Sequence, residues 1–318
     1  MVEDMTEDFK ILKGDCFQLI KDLPDNSIDL VVTSPPYADI VNYGKNISIK
    51  KPNEYVDWIL PLFKEIHRVL KPSGSFILNI NDNCHNGLRN TFIYEMIYRN
   101  TQETKLKLYD TYIWHKKNGI PNGGKKRFRN LTEFIFHFVK DQKQIKFHMD
   151  RVLEQPSDSS KETYKYDNIT NHGTITDGKR IKYKKVKIRK TNKQVDLTGS
   201  SCDEFVEREV PLLVRPDNVF RFHTASKARD NHIKHPAPFY RELPEYFIKF
   251  LTDEGDVVLD PFSGIGTTGL PCLETGRKYI GMELNEKYAE FSIQRLSGVN
   301  KNKQINIWER KEEKNLSQ

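Results

Sequence analysis

The segment Val31-Val32-Thr33-Ser34-Pro35-Pro36-Tyr37 joins an apolar run to a turn that cannot extend it. The preceding residues, from Ile28, are typical of a buried strand. Two consecutive prolines fix φ and lack N–H donors, so neither a strand nor a helix continues past Thr33. The turn therefore presents the Ser34 hydroxyl, backbone carbonyls and the Tyr37 ring at the carboxyl end of a strand. Open α/β sheets bind ligands at that edge.

The groups in this turn match one kind of ligand. A hydroxyl oxygen and a carbonyl oxygen are two hydrogen-bond acceptors, and an aromatic ring beside them is a flat apolar face. A planar ring with an exocyclic amino group, such as cytosine or adenine, fits both features. Taken alone, the segment is also compatible with a proline-rich loop that has no chemical role.

A second turn lies near the C-terminus. A predicted buried strand, Asp256 to Asp260, is followed by Pro261-Phe262-Ser263 and by Gly264-Ile265-Gly266-Thr267-Thr268-Gly269, which is predicted to open a helix. The next predicted strand, Tyr279 to Glu283, ends in an acid. The glycine spacing matches the dinucleotide fingerprint, so a nicotinamide-dependent oxidoreductase is an alternative. Asp260 argues against it, because a carboxylate there would repel a pyrophosphate but would attract a cationic amino group.

Together, Thr33-Ser34-Pro35-Pro36-Tyr37 and Asp260-Pro261-Phe262-Ser263-Gly264-Ile265-Gly266-Thr267-Thr268 resemble the amino-methylating DNA methyltransferases. The order, with the catalytic motif first, is similar to their β group. The resemblance implies an α/β fold with a doubly wound, mainly parallel sheet, S-adenosylmethionine as cofactor and double-stranded DNA as substrate. It is also compatible with a cognate restriction endonuclease and with a homodimer.

The resemblance assigns roles to individual residues. It implies that Asp15 contacts the cofactor adenine, although Asp15 also reads as a helix N-cap. It implies that a His235-Pro236 turn lines the methionine end of the cofactor. The implied catalytic residues are Ser34, Pro35, Pro36 and Tyr37, and the implied cofactor residues are Asp15, Thr33, His235, Pro236, Asp260, Pro261, Phe262, Gly264, Gly266, Thr267, Thr268 and Glu283.

The residue before Pro-Pro-Tyr bears on the target base. In the resembled family, serine there goes mostly with cytosine N4, whereas aspartate or asparagine goes mostly with adenine N6. We therefore expect N4 of a cytosine flipped out of the duplex, with adenine N6 as the alternative. Pro271-Cys272 could suggest attack on cytosine C5, but its place on the helix after the glycine turn favours a buried cysteine. The sequence predicts no metal site.

Composition changes in the middle of the chain. Large apolar residues become rare from about Gln144 to Pro216, and Gly178 to Lys193 is rich in lysine and arginine without an acid. The predicted divisions are a catalytic half (1–143), an inserted DNA-recognition region (144–216), a cofactor half (217–298) and a polar tail (299–318). Basic residues can track phosphates. The predicted DNA contacts are Lys116, Lys117, Lys125, Lys126, Arg127, Arg129, Lys179, Arg180, Lys182, Lys184, Lys185, Lys187, Arg189 and Lys190.

The whole-chain composition limits the alternatives. The 318 residues are 37% hydrophobic and carry a net charge of +7, which suits a polyanionic partner. The four cysteines form no Cys-x-x-Cys pair, which fits a reducing compartment. No signal peptide and no membrane-length apolar run is evident, so a cytoplasmic protein is expected. A DNA-binding protein without catalytic activity is a further alternative.

Local patterns also predict elements between the two turns. Asn53 to Leu70 has helical spacing, with Asn53 as candidate cap and Trp58 in the core. Lys71-Pro72-Ser73-Gly74 reads as a turn, and Leu88 to Arg99 reads as a helix. The predicted strands Tyr109 to His115 and Glu133 to Lys140 follow, with His137 as a core residue.

Overall fold

A computed structural model describes residues 8–38, 51–82, 84–85, 88–117, 128–154, 175–176, 179–180, 183–190, 204–211, 215–222 and 240–299. The chain divides into two compact units, Met1–Phe147 with Asn218–Gln318, and His148–Asp217. Several predictions fall outside the described residues, namely those on His235, Pro236, Lys125, Lys126, Arg127, Lys182 and the tail beyond residue 299.

The first unit is built on an eight-stranded sheet. Its strands alternate along the chain with helices, the pattern that gives parallel pairing. The strands of this unit are β1 (Phe9–Lys13), β2 (Ile28–Thr33), β3 (Leu70–Ile80), β4 (Cys84–His85), β5 (Leu88–Arg89), β6 (Lys107–Lys116), β7 (Thr132–Val139), β12 (Val219–Phe222), β13 (Val257–Asp260) and β14 (Lys278–Glu283).

The order of strands in the large sheet is β1-β14-β13-β2-β3-β7-β6-β12. Five of the neighbouring pairs are parallel, and the two that involve β7 are antiparallel. The predicted mainly parallel α/β sheet is therefore confirmed. The late strand β13 lies directly beside the early strand β2, so the two sequence-distant halves form one sheet.

Helices connect these strands. The longest runs without a break through Pro61. The helices are α1 (Cys16–Leu19), α2 (Pro52–Val69), α3 (Phe92–Glu103), α4 (Glu242–Leu251), α5 (Gly269–Glu274) and α6 (286–299). Within the described ranges, every helix is too short or too polar to cross a lipid bilayer.

Three local predictions were wrong. Asn53 does not cap α2, because Pro52 occupies the first helical turn and Lys51 is the N-cap residue. Lys71 to Gly74 lies within β3 and is not a free turn, although the ladder with β2 passes from Leu70 to Ser75 and leaves these four residues as the irregular segment where the register shifts. Helix α3 begins at Phe92 and not at Leu88, because Leu88 pairs with His85 in a short hairpin.

The core surrounds the central strands. Every residue of β2 is buried, as expected for a parallel strand covered on both faces. His137 is confirmed as a core residue, with hydrogen bonds of 3.2 Å to the Tyr112 hydroxyl and 2.9 Å to the Ser75 hydroxyl. Complete burial lowers the pKa of His137 to about 3. The imidazole is therefore a neutral structural group.

Within the described residues of the second unit, the strands form two antiparallel pairs. One joins β8 (Ile175–Thr176) to β9 (Lys179–Arg180), and the other joins β10 (Tyr183–Lys190) to β11 (Glu204–Pro211). The described residues of the basic tract thus form β9 and β10, and β10 pairs with a strand that contains three glutamates.

Candidate active site

The two turns meet at one edge of the sheet. Strands β2 and β13 are parallel neighbours, with Val31 opposite Leu259, so their carboxyl ends coincide. Beyond that point, the Thr33 hydroxyl donates a buried hydrogen bond of 2.6 Å to Asp260 Oδ1. The residue just before the Ser-Pro-Pro-Tyr turn is therefore joined to the first residue of the glycine loop, which we define as residues 260–268.

Asp260 anchors both segments. Its side chain is nearly fully buried, and its Oδ1 also accepts from the Phe262 N–H at 3.1 Å. Its Oδ2 accepts from the Thr268 hydroxyl at 2.7 Å. Burial raises the pKa of Asp260 to about 6, although these three donors act to lower it. A carboxylate in this setting would gain from a cationic partner.

The glycine loop approaches the helix behind it closely. Gly266 has φ of +75°, and a Cβ there would lie 2.3 Å from the Ser292 hydroxyl oxygen. The Gly264 N–H donates to Glu283 Oε2 at 2.8 Å, and the Asn285 N–H donates to Oε1 at 2.8 Å. Burial raises the pKa of Glu283. The acid at the end of β14 is thus held against the loop.

The remaining described cofactor candidates lie along the same sheet edge or in the loop. Asp15 is the N-cap of α1 and accepts from the Phe17 N–H at 3.0 Å, while the Gly14 N–H before it donates to the Glu283 carbonyl. Pro261 and Thr267 are buried in the glycine loop. The N-cap reading of Asp15 is confirmed, and its carboxylate stays exposed at the same sheet edge.

Trp58 has a neighbour that its helical spacing did not predict. Its ring packs against Phe17 at 5.3 Å and against Phe262 of the glycine loop at 6.2 Å between centroids. The side chain is only half-buried. Helix α2 therefore contacts the glycine loop directly, in addition to filling the core.

The Ser-Pro-Pro-Tyr turn is held by polar groups from β3 and β7. The Tyr37 hydroxyl lies 3.1 Å from Ser34 Oγ, and it donates towards Glu133 Oε2 at 2.7 Å and Asn79 Oδ1 at 3.2 Å. Pro35 is buried, whereas Ser34 and Tyr37 are half-buried. The hydroxyl and the ring predicted from the sequence are therefore side by side.

Sequence reasoning missed Asn79 and Glu133. Asn79 interrupts the apolar run from Phe76 to Ile80, and Glu133 directly precedes the apolar run that begins at Phe134, which is the signal that could have identified them. Lys116 was predicted as a phosphate contact, and its ammonium forms an ion pair with Glu133. The same ammonium lies 5.3 Å from the centre of the Trp114 ring.

The other described basic candidates lie in two places. Lys117 and Arg129 are exposed on either side of residues 118–127. In the second unit, the ladder sets Lys185 opposite Glu209 and Lys187 opposite Glu207, whereas Lys184 faces Val210 and Arg189 faces Phe205. Cross-strand partners of opposite charge attract each other, so these positions are not equivalent.

Cys272 is a buried structural thiol. It donates to the Thr268 carbonyl at 3.2 Å, and burial raises its pKa well above the usual range. This supports the buried-cysteine interpretation over a thiolate nucleophile. Among the described residues, no three His, Cys, Asp or Glu side chains are grouped so as to hold a metal ion.

A family model described as DNA methylase (N6_N4_Mtase) matches residues 28–294. The chain belongs to this DNA methylase family. The match includes both turns, and it makes the protein a DNA amino-methyltransferase of a family that covers adenine-N6 and cytosine-N4 enzymes. The nicotinamide-dependent alternative is therefore wrong.

Individual relatives agree with this assignment. Type II methyltransferase M.BglII of Bacillus subtilis is 27% identical over 91% of this chain and 69% of its own length. DNA adenine methyltransferase YhdJ of Escherichia coli is 28% identical over 90% of this chain and 82% of its own. Type II methyltransferase M.PvuII of Proteus hauseri is also 28% identical, over 93% of this chain and 87% of its own length.

Solved structures share the fold. The cytosine-N4-specific PvuII DNA methyltransferase aligns with a TM-score of 0.63 and 22% identity, covering 93% of this chain and 92% of that one. TTHA0409 from Thermus thermophilus, solved with S-adenosylmethionine, aligns with a TM-score of 0.54 and 20% identity over 91% and 95%. These likenesses extend over both halves of the DNA methylase sheet.

Proposed function

We propose that this DNA methylase transfers the methyl group of S-adenosylmethionine to N4 of a cytosine that has been turned out of duplex DNA. The observation that carries the proposal is the 2.6 Å hydrogen bond from the Thr33 hydroxyl to Asp260. It joins the residue directly before Ser34 to the first residue of the glycine loop. A base against Ser34 and a cofactor along that loop would be neighbours. Holding two reactants in this way removes much of the entropic barrier to their reaction.

The glycine loop has the features of a site for S-adenosylmethionine, which carries a positively charged sulfur and a cationic amino group. Asp260 is a buried carboxylate whose pKa is raised to about 6 by desolvation, so a cation beside it would restore lost solvation. Positive φ at Gly264 and Gly266 lets the loop backbone approach a ligand closely. Glu283, at the end of the next strand, would accept from the ribose hydroxyls of the cofactor.

The Ser-Pro-Pro-Tyr turn acts on the base. Ser34 Oγ and the Pro35 carbonyl accept the two hydrogens of the exocyclic amine. These contacts turn the nitrogen lone pair out of conjugation with the ring and towards the methyl donor. The Tyr37 ring provides the stacking face, and it is held at its hydroxyl end by Asn79 and Glu133. Catalysis rests on positioning and electrostatics.

The choice of cytosine rests on Ser34. The PvuII enzyme that shares this fold is described as cytosine-N4-specific, which supports the choice. Adenine N6 is the second candidate, because the adenine methyltransferase YhdJ matches with the same 28% identity as M.PvuII. The Type II relatives further suggest that a restriction endonuclease cleaves the same DNA site.

DNA is bound by basic residues of the second unit and by basic residues of the first unit. Strand β10 is rich in lysine and arginine, and Lys117 and Arg129 flank residues 118–127. Neutralising phosphates releases counterions and gives salt-dependent affinity. Such contacts would position the duplex, and they would be the same for many sequences.

The test is the product. DNA from cells that express the native chain is digested to nucleosides, and the modified nucleosides are identified by mass spectrometry. The control is the Ser34→Ala variant, expressed at the same level. The proposal predicts N4-methylcytosine with the native chain and none above background with Ser34→Ala. N6-methyladenine as the sole modified nucleoside would reject the cytosine assignment.

A further inference from the structure

Three oxygen-bearing side chains converge on the Tyr37 hydroxyl. Glu133 Oε2 is 2.7 Å away, Ser34 Oγ 3.1 Å and Asn79 Oδ1 3.2 Å. These residues come from β2 and its turn, from β3 and from β7. A hydroxyl among three oxygens has a single hydrogen to share, so the direction of each hydrogen bond is constrained.

Glu133 decides where that hydrogen goes. A carboxylate only accepts hydrogen bonds, and the bond to Glu133 is the shortest of the three. The Asn79 amide nitrogen donates to the Phe134 carbonyl at 3.1 Å, which leaves its oxygen towards Tyr37 as a second acceptor. Because Glu133 is the nearer and the charged acceptor, Tyr37 gives its hydrogen to Glu133, and Ser34 is then the donor in the Ser34–Tyr37 bond.

Glu133 is held rigidly in this role. Its residue is 7% exposed, and its other carboxylate oxygen forms the ion pair with Lys116. Trp114 is the register partner of Glu133 across the β6–β7 ladder. Lys116 lies two residues after Trp114 on β6, and its ammonium lies over the Trp114 ring. The Glu133 carboxylate on β7 is thus held by Lys116 from β6, the neighbouring strand that lies farther from β2 in the sheet.

We propose that Glu133, acting through the Tyr37 hydroxyl, fixes the Ser34 hydroxyl as a donor to Tyr37. The Ser34 oxygen then presents its lone pairs to the amine of the target base. Without this constraint, the Ser34 O–H can rotate and point its hydrogen at the amine, which is the wrong polarity for an acceptor. Glu133 is a positioning residue, and the inference rests on the proposed methyl transfer to an exocyclic amine.

The test uses two variants and their combination. Glu133→Gln replaces the carboxylate by an amide that can donate to Tyr37, and Tyr37→Phe keeps the ring but removes the hydroxyl. Each should lower kcat about tenfold, the size of one hydrogen bond in a buried site, with little change in the KM for S-adenosylmethionine. Because both act through one chain of bonds, the double variant should lose no more than Tyr37→Phe alone.

The matched control is Glu103→Gln. It removes a carboxylate that pairs with Arg99 on α3, and kcat should stay within about twofold of the native value. In a Ser34→Ala background, Glu133→Gln should have no further effect on the residual rate. If Glu133 had a purely structural role, the losses of kcat from Glu133→Gln and Tyr37→Phe would multiply in the double variant. Glu133→Gln would then also lower the residual rate in the Ser34→Ala background.

The outcomes separate the two proposals. If the native chain methylates DNA and Tyr37→Phe or a folded Glu133→Gln retains full kcat, the positioning role is wrong while the proposed function stands. If Glu133→Gln fails to fold, Tyr37→Phe alone decides, because it changes no buried charge. A native chain that methylates no exocyclic amine removes the proposed function and this inference with it.

Discussion

The Thr33 hydroxyl donates a 2.6 Å hydrogen bond to Asp260, a residue 227 positions later in the chain. Thr33 ends the strand that leads into the Ser-Pro-Pro-Tyr turn, and Asp260 begins the glycine loop. One buried hydrogen bond therefore fixes the distance between the proposed base site and the proposed cofactor site. Its loss should affect cofactor binding and methyl transfer together.

Thr33→Val tests this bond with little change in side-chain shape. The variant leaves Asp260 Oδ1 with one donor fewer, which costs about 1–3 kcal/mol for a buried group. We expect weaker binding of S-adenosylmethionine by roughly tenfold in calorimetry, and a lower melting temperature. Thr101→Val is the control, since that hydroxyl donates to the Tyr98 carbonyl on α3, and it should bind the cofactor normally.

Gly266→Ala tests the close approach of the loop to α6. The variant combines an unfavourable positive φ with a contact of 2.3 Å to the Ser292 hydroxyl oxygen. Gly255→Ala is the matched control, because Gly255 has φ of +83° and open space around its Cβ position. We expect Gly255→Ala to lower the free energy of unfolding by about 1–2 kcal/mol, which is the cost of a positive φ for a residue with a Cβ atom.

Gly266→Ala should destabilise more than that control and should also weaken cofactor binding. Adding Ser292→Ala removes the contacting oxygen and should recover part of the lost melting temperature, but not the part that the positive φ costs. Equal melting temperatures for the two glycine variants would show that the loop does not need the close approach.

Cofactor affinity should depend on pH through Asp260. Burial raises the pKa of this carboxyl to about 6, and only the charged form attracts a cation. Above pH 6 the carboxylate is available, so affinity is at its plateau. Below pH 6 a proton must leave before binding, and the Kd should rise by about tenfold per pH unit.

Two variants assign this effect to its residue. Asp260→Asn should bind weakly with no decline between pH 7 and pH 5, while Glu283→Gln should keep the decline because Asp260 is intact. Thr33→Val should move the midpoint upwards, since the Thr33 hydroxyl acts to lower the pKa of Asp260. A decline that survives in Asp260→Asn would refute the assignment.

The β10–β11 ladder predicts unequal contributions to DNA binding. Arg189 stands opposite Phe205, whereas Lys187 stands opposite Glu207. We expect Arg189→Gln to reduce the slope of log K against log salt by about 1, as the loss of one phosphate contact does. The pair Lys187→Gln with Glu207→Gln keeps the net charge and should leave the slope unchanged in anisotropy titrations. An equal drop for the pair would contradict the use of register to rank these residues.

Local sequence was sufficient for the central strands and both turns. The apolar strands end at Thr33 and at Asp260, and Pro35 and Pro261 shortly after them predict these ends, because proline restricts the backbone whatever surrounds it. The mainly parallel sheet was implied by the family resemblance, whereas the direct pairing of β2 with β13 was not predicted and is a finding of the structure. The family resemblance supplied the order of the two halves.

Features that depend on long-range contacts were not predictable in this way. The bonds from Tyr37 to Asn79 and Glu133 span 42 and 96 residues, so no local pattern contains them. Residues 71–74 look like a turn, but they lie inside a long strand whose ladder with β2 is paired on both sides of them, at Leu70 and at Ser75. The acidic partner of the basic strand β10 also became visible only through register.

The most direct test of the account is Ser34→Ala, measured in two assays on one preparation. The account predicts that the single-turnover rate of methyl transfer to duplex DNA falls by about 100-fold or more. It predicts that the Kd for S-adenosylmethionine changes by less than about threefold, because Asp260 and the glycine loop are untouched. An equal loss in rate and cofactor affinity, or an unchanged rate, would contradict the assignment of the base to the Ser-Pro-Pro-Tyr turn and of the cofactor to the glycine loop.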